Sequence, residues 1–249
     1  MRILVFMSDN RPLEECFEKA EYNSLVASIN YEYCKKQKYD FLYYRPYLGS
    51  LDNKQLFNCK DPNTKVLRHS AWSKLLSASI AVEKDYSHIV YIDSDCIFKN
   101  QNRQIEQFIH MYADKDVLFL NNKPWNADKP CSGFFICKVC DQTKQFLKDW
   151  YSYNFGKKKN PCRFEQGALW FMHTNPTYKI GVIDRWMFQE KEGQFLRHVA
   201  THDASNRIPY FKKYIQANDI NYLENIRNIS CVEYNTTDVE PHTPSIYSQ

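Results

Sequence analysis

Long apolar runs are missing from this chain. Across 249 residues, no stretch approaches the ~18 consecutive apolar residues of a membrane-spanning helix. Met1 to Met7 passes straight into Ser8-Asp9-Asn10, without the apolar core and cleavage site of a signal peptide. These absences predict a soluble, cytoplasmic protein. An excess of one charge is missing too. The chain carries 33 Lys and Arg against 29 Asp and Glu, and a net charge of +4 at this length does not by itself argue for nucleic acid. A few basic side chains beside a phosphate site account for it equally well. The nine cysteines are irregularly placed. Only Cys137 and Cys140 form a Cys-x-x-Cys, and the second pair that a zinc ribbon needs is absent, so reduced thiols of a cytosolic protein are the simpler reading. No internal repeat and no low-complexity linker interrupts the chain.

What remains is globular. With 43% hydrophobic residues, the chain can bury the core of one large domain or two small ones. Residues 2–7 read as a strand, 13–36 as a helix and 41–44 as a second strand. Pro46, Gly49 and Pro62 then break the segment 45–65. A second helix is expected over 66–83, with Trp72, Leu75, Leu76, Ser79 and Ile80 at helical spacing. The later pattern predicts helices at 105–111, 141–153 and 163–173, strands at 117–120 and 133–137, and short apolar runs at 180–183 and 194–199. Alternating strands and helices predict an α/β fold: a doubly wound, mostly parallel central sheet flanked by helices, with ligands at the carboxyl ends of its strands.

The most informative stretch is His88-Ile-Val-Tyr-Ile-Asp-Ser-Asp-Cys-Ile-Phe98. In an extended backbone Asp93 and Asp95 share a face, about 7 Å of chain apart. Two carboxylates so placed suit a divalent cation whose shell is completed by substrate phosphates. A strand end followed by an Asx turn is the plainer alternative, but the apolar run Ile89 to Ile92 favours a site at the end of a buried strand. Other residues admit two readings. Lys74 is either a phosphate-facing cation or a solvated helix residue, Gly133 a close-approach position or a strand-edge turn, and Glu165 a site carboxylate or a first-turn charge. His198 is a metal ligand or a hydrogen-bonded core histidine, with His202 a rival close behind. Trp125, Trp150, Trp170 and Trp186 read as core, although Trp125, in a polar loop, could stack on a sugar.

In order and spacing, Arg68-x-x-x-Trp72-x-Lys74, the strand ending in Asp93-Ser94-Asp95, Ser132-Gly133-Phe134-Phe135-Ile136, Trp150, Glu165-Gln166-Gly167-Ala168-Leu169 and Gly193-Gln194-Phe195-Leu196-Arg197-His198 resemble GT-A fold glycosyltransferases. The resemblance is greatest to the retaining α-galactosyl and α-xylosyl transferases of yeast and plants, and it runs with gaps from residue 2 to about residue 210. It implies metal-dependent transfer of a sugar from a nucleotide-diphosphate donor, UDP by family association, to a glycan or sugar acceptor. Asp93 would touch the ribose and share a Mn²⁺ or Mg²⁺ ion, Asp95 would ligate the ion directly, and His198 would supply the third protein ligand. Ser8, Asp9 and Arg11 would hold base and ribose. Arg68, Lys74 and Ser94 would face the nucleotide sugar, Gly133 would let the backbone approach the donor sugar, and Glu165 and Gln166 would flank the anomeric carbon. Two departures stand out. The family's usual Asp-Gln pair is Glu165-Gln166 here, and Ala200-Thr201 replaces the glycine that usually follows the histidine.

The same resemblance implies one domain over 1–240, with 1–100 the nucleotide-binding half and 101–240 the acceptor-binding half, followed by a loosely ordered polar tail at 241–249. Members of the family are commonly Golgi-anchored. A chain without an anchor, rich in Lys, Asn and Tyr, fits a cytosolic enzyme of a microbe or a large DNA virus. Two rival functions remain. Haloacid-dehalogenase-type phosphatases also use an Asp-x-Asp after an apolar strand, but on their first strand, whereas a whole β-α-β unit precedes it here. A catalytically inactive sugar-binding protein of the same fold is the other. For the transferase, Gln166 fits a retaining step, because an uncharged amide oxygen can support developing positive charge. Glu165 would serve as general base if the reaction inverts.

Overall fold

The computed structural model describes residues 1–50, 56–122, 126–155, 164–184, 195–199 and 206–239. Its centre is a seven-stranded sheet built from β1 (Ile3–Ser8), β2 (Asp40–Tyr47), β5 (His88–Ile92), β7 (Val117–Asn122), β8 (Asn126–Lys138), β9 (Ile180–Ile183) and β11 (Ser230–Asn235). The strand order is β11-β2-β1-β5-β8-β7-β9. Only β8 runs antiparallel to its neighbours, β5 and β7. Every other pairing in the sheet is parallel, which is the mostly parallel, doubly wound arrangement expected from the sequence. Two small ribbons complete the strands: β3 (Phe57–Lys60) with β4 (Leu67–His69), and β6 (Cys96–Phe98) with β10 (Leu196–His198).

Helices cover both faces, so β1 is apolar at successive positions rather than at alternate ones. Ile3, Val5 and Met7 pack with α1 (Tyr22–Gln37), α6 (Arg207–Ala217) and α7 (Tyr222–Asn228). Leu4 and Phe6 pack on the opposite side with α2 (Ser73–Ala81), α4 (Asp141–Tyr151) and α5 (Phe164–Met172). Helix α3 (Glu106–Met111) adds Phe108 and Ile109 to the first cluster. Among the described residues no helix is long and apolar enough to cross a membrane.

Three local expectations change. The helix expected over 66–83 is in fact β4, a 3-10 turn at Ser70–Trp72, and then α2. Residues 67–69 are drawn out of the helix by pairing with β3, and the His69 Nδ1 caps the following turn by accepting the Ala71 N–H (3.1 Å). The strand expected at 41–44 runs on through Pro46, because β1 ends opposite Tyr44 and leaves Pro46 paired only with β11. Strand β11 itself, half-exposed on the sheet edge, was not foreseen. The tail 241–249, Trp125, Trp186 and His202 lie outside the described residues.

Trp150 anchors the second cluster. It is fully buried, its ring centroid lies 5.5 to 5.9 Å from those of Phe119, Phe135 and Phe146, and its indole N–H donates to the Glu165 carbonyl (2.8 Å). Truncation there leaves a large cavity and removes one hydrogen bond to the start of α5. Trp150→Ala should therefore lower unfolding stability by about 3–5 kcal/mol, read as a shift in urea midpoint at unchanged slope. A loss below about 1 kcal/mol would contradict this packing.

Candidate active site

Strand β5 ends at Ile92, and the chain turns at once. The Asp93 N–H donates to the Gly133 carbonyl (2.9 Å) and the Cys96 N–H to the Asp93 carbonyl (3.0 Å), so the two aspartates sit in a tight turn between β5 and β6. Strand β6 pairs with β10 in a register that sets His198 opposite Cys96, and the Val199 N–H donates to the Asp95 carbonyl (2.9 Å). Asn30 of α1, fully buried, fixes β6 from below: its Nδ2 donates to the Cys96 carbonyl (3.0 Å) and its Oδ1 accepts the Phe98 N–H (3.0 Å).

One ligand atom from each of Asp93, Asp95 and His198 falls within 4.8 Å of the others. Two hard carboxylates and an imidazole form a donor set for a divalent cation such as Mn²⁺ or Mg²⁺. The surroundings are shaped for it. A Cβ on Gly133 would lie 2.8 Å from Asp93 Oδ2 and 3.3 Å from His198 Cε1, so the ligands occupy the space that any other residue would fill.

Positive charge is built in beside the carboxylates. The Lys74 ammonium, buried on α2, lies 2.9 Å from Asp93 Oδ1 and 2.9 Å from Glu165 Oε1. Burial alone would lower its pKa, but the two carboxylates hold it above the ordinary lysine value. The Tyr91 hydroxyl also donates to Asp93. Asp95 Oδ1 lies 3.0 Å from His198 Nε2, and its Oδ2 accepts from Arg207 at 2.5 Å. Burial pushes the Asp95 carboxyl up, while His198 and Arg207 hold it below the usual range.

The Glu165-Gln166 pair opens α5 just after Phe164, whose backbone φ is +62°. Glu165 Oε1 also accepts the Ser132 hydroxyl (2.9 Å), while Oε2 is buried without a hydrogen-bond partner among the described residues. Gln166 Oε1 accepts the Ser132 N–H (3.2 Å) and lies 3.1 Å from its hydroxyl. At the other end, Arg11 grips the Asp9 carboxylate with Nε (2.9 Å) and a terminal nitrogen (2.6 Å), reaches Glu21 (3.1 Å), and lies 4.1 Å from the Tyr22 ring centroid. The Ser8 hydroxyl lies 2.8 Å from that of Ser77.

These groups line one open cleft of ≈ 850 Å³, a size that suits a cofactor-scale ligand. Ser8, Asp9, Arg11, Lys74, Asp93, Ser94, Asp95, Gly133, Glu165, Gln166 and His198 all border it. Arg68 does not. It stands on β4 rather than on a helix, its guanidinium donates to the Asp61 carboxylate and the Tyr151 carbonyl, and it stacks 4.0 Å from the Trp72 ring centroid. Arg68 thus braces the hairpin. His69, which caps the turn at Ser70–Trp72, was missed by the sequence reading. It borders the cleft and stacks on Phe164 with ring centroids 3.9 Å apart, and burial and Lys74 lower its pKa. Tyr91, Asn30 and Arg207 were also missed, since a lone tyrosine, asparagine or arginine carries no motif, and Ser132, although it opens the Ser132-to-Ile136 motif, was given no role.

No protein-family model and no curated protein sequence matches this chain. Solved structures share its fold. A glycosyltransferase involved in glycosylation of the major capsid of PBCV-1 superposes with a TM-score of 0.64 at 16% identity, over 86% of this chain and 100% of that one. The glycosyltransferase GlyE of Streptococcus pneumoniae gives 0.55 at 9% identity, over 91% of this chain and 62% of its own length. The bifunctional glycosyltransferase WbbM gives 0.51 at 10% identity, over 92% and 51%. The central sheet and its flanking helices have the GT-A fold.

Gly133 gives the sharpest local test. Gly133→Ala should leave far-UV circular dichroism and thermal midpoint near wild type while weakening Mn²⁺ binding by roughly 10-fold or more, because Asp93 is pinned by Lys74 and Tyr91 and yields poorly. Unchanged Mn²⁺ affinity by calorimetry would show that the ligands do not need the space.

Proposed function

We propose that this protein is a metal-dependent glycosyltransferase that moves a sugar from a nucleotide-diphosphate donor, with UDP as the nucleotide, to a glycan or sugar acceptor with retention of configuration. The observation that carries this reading is the convergence of Asp93, Asp95 and His198 beside buried Lys74 at the carboxyl end of β5, in a fold shared with solved glycosyltransferases. Residues 1–100 would supply most of the nucleotide end of the cleft, and later residues the acceptor end.

Asp93, Asp95 and His198 would hold a Mn²⁺ or Mg²⁺ ion, which stabilises the negative charge that develops on a departing diphosphate. Lys74 places a fixed ammonium on the same face. Arg11, by fixing Asp9, makes the base end of the cleft rigid before a ligand arrives, with Ser8 beside it. Ser94 and Gly133 line the floor between the two ends. Glu165 Oε2, buried and unpartnered, would be satisfied by a hydroxyl of the transferred sugar. Its other oxygen is spent on Lys74 and Ser132, which speaks against Glu165 as the free base that inversion needs.

Gln166 is uncharged, and Ser132 orients its amide oxygen, so its dipole can steady positive charge at the anomeric carbon. In the retaining step the bond from that carbon to the diphosphate oxygen breaks. The bond to the acceptor oxygen forms on the same face, and the acceptor's hydroxyl proton passes to the departing phosphate oxygen. The stacked His69–Phe164 pair at the rim offers an apolar surface for the face of an acceptor sugar. The phosphatase alternative needs an aspartate free to attack phosphorus, whereas Asp93 is held by Lys74 and Tyr91, and Asp95 by His198 and Arg207.

The deciding experiment is a panel of nucleotide sugars incubated with protein and Mn²⁺ and followed by proton NMR. One donor should release its sugar with the α configuration first, and EDTA should stop the reaction. Asp95→Ala or His198→Ala should slow it about 100-fold or more, the loss of roughly 3 kcal/mol of leaving-group stabilisation. A β-configured first product would make the enzyme inverting and Glu165 its base. Turnover that survives EDTA would remove the metal, and a donor that binds without turning over would leave only a sugar-binding protein.

A further inference from the structure

Asp95 is held from behind by an arginine that the ligand set does not include. Its main-chain carbonyl accepts the Val199 N–H (2.9 Å). The Val199 carbonyl in turn accepts the Arg207 Nε–H (2.8 Å), and a terminal nitrogen of the same guanidinium donates to Asp95 Oδ2 (2.5 Å). Three residues from three separate stretches of chain thus close a ring of hydrogen bonds. Val199 directly follows His198, so the ring fixes the strand that carries the imidazole as well as the carboxylate.

Arg207 is an expensive residue to place there. It is 8% exposed, and it opens α6, where the helix dipole disfavours a cation and no acidic residue occupies the first turn. A buried guanidinium needs partners, and Arg207 has Asp95, Val199 and the Tyr22 ring, whose centroid lies 4.9 Å away. The two Asp95 oxygens are divided between two neighbours: His198 faces Oδ1 and Arg207 takes Oδ2.

Resting on the metal-dependent reading above, we propose that Arg207 is a positioning residue for the cation site, clamping Asp95 through Oδ2 and β10 through Val199 so that Asp95 Oδ1 and His198 Nε2 converge with Asp93 on one divalent ion. Partners that orient metal ligands in this way typically contribute 10- to 100-fold in metal affinity. The planar fork matters as much as the charge, since Nε and a terminal nitrogen reach different residues at once.

The test is a Mn²⁺ titration of the full chain without nucleotide, with free Mn²⁺ read by electron paramagnetic resonance. Arg207→Gln should bind about 10- to 100-fold more weakly than wild type, and Arg207→Lys, which keeps the charge but loses the fork, should stay weakened. Lys212→Gln removes a cation of the same helix that donates to the Glu18 carbonyl (2.9 Å), and should leave Mn²⁺ affinity unchanged. Near-UV circular dichroism shows which variants are folded, and if Arg207→Gln is not, Arg207→Lys alone decides. Wild-type or tighter binding in Arg207→Gln, or full recovery in Arg207→Lys, overturns the clamp while leaving the metal site standing. A wild-type chain that binds no Mn²⁺ overturns the metal reading, and the clamp falls with it.

Discussion

The Lys74 ammonium, 2.9 Å from Asp93 and 2.9 Å from Glu165, is the contact on which the arrangement of the cleft depends. A buried charge is tolerated only when it is paired with good geometry, so α2, the β5–β6 turn and the start of α5 must meet where they do or leave an ammonium stranded. The pairing has a directional consequence. It occupies Asp93 through Oδ1 and Glu165 through Oε1, leaving Asp93 Oδ2 against Gly133 and Glu165 Oε2 without a partner. Both leftover oxygens belong to residues that border the cleft, so the ion pair also decides which carboxylate atoms are left for a ligand.

Around that pair the charges are graded. Asp93 and Asp95 are each tied to one cation of the protein, Lys74 and Arg207 respectively, and share with His198 the space where a divalent ion would stand. On the proposed reading orientation and ligation are separate: lysine and arginine would aim the carboxylates, and Gly133 leaves open the space beside Asp93 and His198. Asn30 fixes the backbone in a similar way, bonding Cys96 and Phe98 at the two ends of β6, the strand on which β10 and its histidine dock.

Much of this was legible in the sequence, for specific reasons. The buried strand before Asp93 reads as an uninterrupted apolar run because both faces of the sheet are covered, whereas the Asp-x-Asp at its end, expected on one face of an extended backbone, lies instead in the tight turn after β5. The order of the motifs located Lys74, Gly133, Glu165, Gln166 and His198 on one cleft although they come from four different elements. What the sequence did not disclose depends on pairing across long separations. Helical spacing over 66–83 was real, but hairpin pairing with β3 took its first residues, which moved Arg68 away from the cleft and left His69 on its rim. Ser132 and Arg207 act through hydrogen bonds to residues distant in sequence, and no local pattern announces such bonds.

The central claim is positional: one divalent ion, held by Asp93, Asp95 and His198. A crystal of the protein soaked in Mn²⁺ and UDP, with diffraction collected at the manganese absorption edge, tests it directly. The account predicts one strong anomalous peak at bonding distance from Asp93, Asp95 and His198, about 2.1–2.3 Å from their ligand atoms, with diphosphate oxygens completing the shell. A peak elsewhere, or UDP bound in the cleft with no peak among these three residues, would contradict it.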